Sequence, residues 1–290
     1  MKHFLVIADA YGSRQRIVER AADLAARFDA RLTVVGFVYE HIANLPIRMD
    51  EAPLERLQDS LVERHRRRIQ ESLAHTAKGI RAVVEVVWEK RVAEWVGRRV
   101  RQQHYDLVVK GGHRSETFLY TPTDWQLLRG CPVPVLLFAD SRWRRARHVM
   151  AAVDLGTKVR SKLALNYEIV RHAASMATAV GGELHVGYVV PYSKILRDLD
   201  VVDKAELRRQ GLRLAAAFRR SLAERGTAVE AIHVEVGPPE KALVNLTAKN
   251  RVGLVVLGCV GRRNLAGRVI GNTAEQILRL VKADVLAVKP

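Results

Sequence analysis

Two glycine-bearing stretches near the end of the chain carry residue types that could hold a phosphate. The run Leu254-Val255-Val256-Leu257-Gly258-Cys259-Val260-Gly261 is an apolar strand pattern that breaks into glycines. After nine further residues, Gly271-Asn272-Thr273-Ala274-Glu275 opens a helical pattern. Glycine permits positive φ and lets a ligand approach main-chain N–H groups closely. A helix N-terminus adds unpaired N–H groups and a partial positive charge. The spacing is that of a phosphate cradle. Arg262, Arg263 and Arg268 lie in or beside it and could add charge-assisted contacts.

Each of these residues also has a plain structural role open to it. Gly258 and Gly261 fit an ordinary turn, Arg262 and Arg263 a solvated surface, and Asn272 a helix N-cap. No Walker Lys-Ser/Thr follows the glycines. No acidic cluster for Mg²⁺ and no nucleophile–base pair is recognisable. The pattern therefore predicts a site that holds a ligand without dedicated catalysis.

The elements that must position this cradle occur twice. Phe4-Leu5-Val6-Ile7-Ala8-Asp9 and Val149-Met150-Ala151-Ala152-Val153-Asp154 are both apolar strands ending in aspartate. Each precedes an amphipathic helical pattern, over 16–28 and 163–180. Strand patterns follow at 32–38 and 184–190, charged helices at 53–77 and 202–225, and third strands at 81–87 and 229–236. Helices at 93–103 and 239–249, apolar strands at 106–110 and 253–257, and last strands at 134–138 and 284–288 complete the series. Alternation of this kind predicts two parallel five-stranded sheets with helices on both faces. Ligands of such sheets sit outside the carboxyl ends of the strands, at the switch in strand order. Asp9, Asp154 and the loop after Val256 all fall at carboxyl ends. Asp154 could equally cap the helix that follows it. The expected domains are 1–141 and 147–290.

Composition limits the remaining classes. At 290 residues the chain has room for two domains, and 48% hydrophobic content suits a globular core. No apolar run approaches the roughly 18 residues of a membrane span, and the apolar start is too short for a signal peptide. Cys131 and Cys259 form no metal-ligand or redox spacing, so no metal site is expected and a reducing cytoplasm is the simplest compartment. The net charge of +17 is diffuse, densest at Arg142-Trp143-Arg144-Arg145-Ala146-Arg147-His148. A basic surface draws polyanions without specificity. Aromatic content of 6% and the lack of a recognition motif leave only non-specific nucleic-acid binding.

On these residues the chain resembles the universal stress protein family, and within it the tandem, E-type members. The motif Gly-x2-Gly-x9-Gly-(Ser/Thr or Asn) of the nucleotide-binding members is matched by Gly258, Gly261, Gly271 and Asn272. The resemblance implies two Rossmann-like domains of the adenine nucleotide alpha hydrolase type. It implies ATP or a related adenine nucleotide, with or without Mg²⁺, in the second domain. Asp154 would meet the adenosine end, the backbone of Val189 the adenine, and the glycines the phosphates. Asn272 replaces the usual hydroxyl residue, with Thr273 next; its amide can still donate to phosphate. The family's role would be that of a stress-response sensor or regulator. An ATPase, a carrier of another phosphorylated or apolar ligand, and a charge-driven nucleic-acid binder are the alternatives. Family members dimerise through the fifth strand, so here the two repeats are expected to pair with each other, with a homodimer left open.

The first repeat departs from the motif. Gly111 matches Gly258, but Arg114 stands where Gly261 is, and the loop is about three residues shorter. Thr121 and Pro122 replace Gly271 and Asn272, and proline lacks an N–H. Asp124 reads as a negative charge where a phosphate would sit. His113, Arg114, Phe118, Leu119 and Tyr120 could line a pocket for another ligand or pack on the core. The first repeat is thus expected not to bind ATP.

Overall fold

The computed structural model describes residues 1–8, 16–39, 51–76, 79–112, 122–139, 148–192, 203–259, 262–264, 267–269 and 272–290. The described chain divides into two compact units, one of residues 1–112 and 122–138, the other reaching from residue 139 to the end.

The first unit runs β1 (His3–Ala8), α1 (Arg16–Phe28), β2 (Arg31–Val38), α2 (Glu51–Thr76), β3 (Ala82–Trp88), α3 (Val92–Gln102), β4 (Leu107–Gly111), α4 (Pro122–Gly130) and β5 (Val135–Phe138). Its strands lie in the order β3-β2-β1-β4-β5. The pairs β1·β2, β1·β4, β2·β3 and β4·β5 are all parallel. Every residue of β1, β4 and β5 is buried, as a sheet covered on both faces requires. Helix α1 turns Ile17, Ala21, Leu24 and Ala25 inward at the helical spacing expected of it.

The second unit repeats the plan. It runs β6 (His148–Val153), α5 (Arg160–Val180), β7 (Leu184–Pro191), α6 (Lys204–Glu224), β8 (Ala231–Gly237), α7 (Pro239–Lys249), β9 (Val252–Gly258), β10 (Arg262–Asn264), β11 (Gly267–Val269), α8 (Asn272–Leu280) and β12 (Asp284–Val288). The strand order is β12-β9-β6-β7-β8, again parallel. Gly181 ends α5 in the left-handed region at φ 62°, and the N–H groups of Gly181 and Gly182 satisfy the carbonyls of Thr178 and Ala177. Helix α5 packs on β6 and β9, while α7 and α8 contact each other. The opposite sheet face belongs to α7, because a Cβ on Gly187 would stand 3.2 Å from Leu243 Cδ1.

The repeat extends to single hydrogen bonds. The Gly112 N–H donates to the Phe138 carbonyl, and the Cys259 N–H donates to the Val288 carbonyl, each at 2.8 Å. One element differs from the sequence reading: the stretch after Gly261 is not all loop. β10 and β11 pair as an antiparallel two-stranded sheet, with Arg262 opposite Val269 and Arg263 opposite Arg268. Among the described residues, no helix is long and apolar enough to cross a membrane.

Candidate functional site

In the second unit the strand order reverses between β6 and β9. Ala152 and Leu257 are register partners, so the ends of both strands, and Asp154 and Gly258 with them, emerge side by side. Adjacent strands are about 4.8 Å apart, close enough for one ligand to touch both ends. This is the position where open parallel sheets bind ligands.

Asp154 is exposed, but its backbone is fixed. The Asp154 N–H donates to Asn166 Oδ1 at 3.0 Å, and Asn166 Nδ2 donates to the Asp154 carbonyl at 2.8 Å. Asn166 is buried on α5, so the helix holds the strand end from both sides of one residue. Among the described residues no group hydrogen-bonds or ion-pairs with the Asp154 carboxylate. The capping alternative does not hold: α5 starts at Arg160, its N-cap position is Val159, and no side chain caps it.

Tyr188 was not singled out by sequence and belongs to the same place. A Cβ on Gly156 would stand 3.0 Å from the Tyr188 hydroxyl and 3.8 Å from Asp154 Oδ1, so the three share one small space. Burial, and then the Asp154 carboxylate, push the phenol above its usual range. The hydroxyl therefore keeps its proton and can donate to a ligand. Its only sequence signal was its place next to Val189. On the β6 side the ladder reaches Val153 and Tyr188, so Val189 stands one residue past it, half-buried.

Gly258 ends β9. A Cβ there would come within 2.6 Å of Leu165 Cδ2 and 3.1 Å of Ile169 Cδ1. The missing side chain lets α5 pack closely against the strand, which gives this glycine a structural reason independent of any ligand. Burial pushes the neighbouring Cys259 thiol up to about 12, so it is a packed, protonated group. Arg262 and Arg263 fall in β10, and Asn272 and Thr273 begin α8; their side chains lie outside the described residues. Gly261 and Gly271 lie outside them altogether, as do Asp9, His113, Arg114, Phe118, Leu119, Tyr120 and Thr121.

The matching region of the first unit corrects the reading of Asp124. That carboxylate is fully buried, 2.8 Å from the Nζ of Lys110, which is itself buried. Lys110 also donates to the Gly111 carbonyl at 2.9 Å. The Asp124 charge is thus turned inward and matched, and it does not stand where a phosphate would. The approach of the two charged groups falls outside hydrogen-bond geometry and is chiefly Coulombic. Pro122 begins α4, as its missing N–H allows.

The model of the universal stress protein family matches residues 1–139 and again residues 146–289. The chain belongs to the universal stress protein family. It carries two such domains in tandem. It is 30% identical over 302 residues to universal stress protein E of Salmonella typhi, covering 100% of this chain and 94% of that protein. It is 27% identical over 304 residues to a universal stress protein E homolog of Haemophilus influenzae, covering 100% and 97%. A crystal structure from Pseudomonas aeruginosa UCBPP-PA14 superposes with a TM-score of 0.71 at 25% identity, covering 100% of this chain and 93% of that one. A universal stress protein from Archaeoglobus fulgidus shares the fold, with a TM-score of 0.64 at 16% identity over 99% and 98% of the two chains.

Proposed function

We propose that the second unit binds an adenine nucleotide, ATP foremost, and that the protein serves as a stress-response sensor or regulator. The observation that carries this reading is the exposed Asp154 carboxylate. It is held in place through its own backbone, without a partner among the described residues, beside Gly258 at the switch in strand order. Asp154 suits the ribose hydroxyls, with Tyr188 as a neighbouring donor and the Val189 backbone for the base. Gly261, Arg262, Arg263, Gly271, Asn272 and Thr273 would take the phosphates, and Mg²⁺ would bind through those phosphates. Arg263 and Arg268 occupy facing register positions, an arrangement that like charges disfavour and an anion between them would relieve. Holding the ligand, without dedicated turnover, is the role that fits a loop with no Walker lysine.

Calorimetric titration of the full chain with ATP tests this. One site per chain with a micromolar-range Kd is expected, since the first unit lacks the second glycine and starts its helix with Pro122. Gly261→Glu should abolish the heat, and Asp154→Ala should weaken binding about tenfold or more. No heat from the native chain, or heat unchanged in Gly261→Glu, would overturn the reading.

A further inference from the structure

We infer that His148, Glu183 and His185 form a binding site for a divalent transition metal, Zn²⁺ foremost, at the amino ends of β6 and β7. The site lies at the other end of the strands from Asp154. His148 and Asp154 are six residues apart along an extended chain, about 20 Å.

The three side chains already stand at metal-site spacing. Glu183 Oε2 is 3.0 Å from His148 Nδ1 and 3.4 Å from His185 Nε2. One ligand atom from each residue lies within 4.8 Å of the other two. Tetrahedral Zn²⁺ with bonds of about 2.0–2.1 Å sets its ligand atoms about 3.3 Å apart. Two of the separations already fit that edge. The His148 Nδ1 is shielded from water, yet its approach to the carboxylate falls outside hydrogen-bond geometry. A hydrogen-bonded pair would be aligned, whereas a shared ion requires only that both lone pairs point to a common centre.

A fourth residue sets up the third ligand. His185 Nδ1 is 2.9 Å from His233 Nε2, with the two rings nearly parallel at 3°. With His233 accepting, His185 carries its proton on Nδ1 and turns a bare Nε2 toward Glu183. This is the outer-shell arrangement of metal-bound histidines. Burial, then His185 and Lys249, hold His233 below the usual histidine range, which keeps its ring neutral and able to accept; Glu235 acts weakly the other way.

The sheet explains why these residues meet. His185 and Met150 are register partners, and so are His185 and Ala231. His148 is two residues from Met150 and His233 two from Ala231, so alternation puts all three imidazoles on one face. Glu183 immediately precedes β7 and is 54% exposed, which leaves a path for the ion and room for water as a fourth ligand. Two imidazoles and a carboxylate suit Zn²⁺, whereas Mg²⁺ and Ca²⁺ prefer all-oxygen shells.

The test uses tag-free, full-length protein stripped by a chelating resin, titrated with ZnCl2 and with CoCl2. One Zn²⁺ per chain at micromolar metal is expected, with Co²⁺ giving the visible absorption of a tetrahedral site and Mg²⁺ giving no response. His185→Gln should abolish the Co²⁺ spectrum. Glu183→Gln and His148→Gln should each weaken Zn²⁺ binding at least tenfold while circular dichroism stays unchanged. His104→Gln, at an exposed histidine elsewhere, should bind like the parent. Absence of binding in the native chain would overturn the inference whatever the variants do. So would binding that survives both Glu183→Gln and His148→Gln, since it would come from scattered surface histidines.

Discussion

The turn from β4 to α4 and the turn from β9 to α8 start from the same backbone and stand on different supports. Each begins one residue before an N–H bonded to the last residue of the fifth strand, Gly112 to Phe138 in one and Cys259 to Val288 in the other. At the next-to-last strand position the first unit has Lys110 and the second Leu257, both buried. At the third helical position it has Asp124 against Ala274. An ion pair in one repeat thus replaces an apolar pair in the other. The repeats diverged in the layer beneath the loop as well as in the loop, while the sheet frame above it stayed fixed.

Breaking the ion pair should give the largest effect. Lys110→Leu alone leaves the Asp124 carboxylate buried without its cation and should cost about 3–5 kcal/mol in chemical denaturation. Lys110→Leu with Asp124→Ala, which installs the residue types of the second unit, should recover most of that loss. If the single variant is harmless, the pair carries no such weight and the comparison fails.

The helices after the first strands extend the contrast. α5 buries His172, whereas α1 contains no histidine. Burial, with Arg171 beside it, lowers His172 to about 4. Above about pH 6.5 both folded and unfolded chains are neutral at this residue, and its stability is fully present. As the pH falls from there toward about 4 the unfolded chain binds the proton first, and up to about 3 kcal/mol is lost before the effect levels off. His172→Gln should flatten that decline between pH 7 and pH 4.5. Parallel declines in variant and parent would assign the acid sensitivity elsewhere.

A smaller effect separates packing from ligand binding at Gly258. Gly258→Ala should lower stability by roughly 1 kcal/mol, because α5 must yield around Leu165. A variant of unchanged stability that binds ATP less well would make this a ligand glycine instead.

Much of this was legible in the sequence, for physical reasons. Burial of a strand on both faces writes a continuous apolar run, as in 254–257, and an amphipathic helix writes its period, as in 16–28. The repeat then supplied strand order and the placement of Asp154. Features that depend on strand order or helix rotation were hidden. Lys110 and Asp124 are 14 positions apart and meet only once α4 has docked. His148, Glu183 and His185 are joined only by the pairing of β6 with β7. The hairpin of β10 and β11 has three-residue strands rich in arginine, too short and too polar to show alternation.

The double hydrogen bond between Asn166 and the backbone of Asp154 has a kinetic consequence. With the peptide groups on both sides of Asp154 locked to a buried side chain, the carboxylate can move only by turning about its own side-chain torsions. Such rotations take picoseconds to nanoseconds, whereas rearranging a loop backbone takes far longer. Whatever Asp154 receives meets a group already in place, so the ordering entropy is met during folding and capture need not wait for the chain.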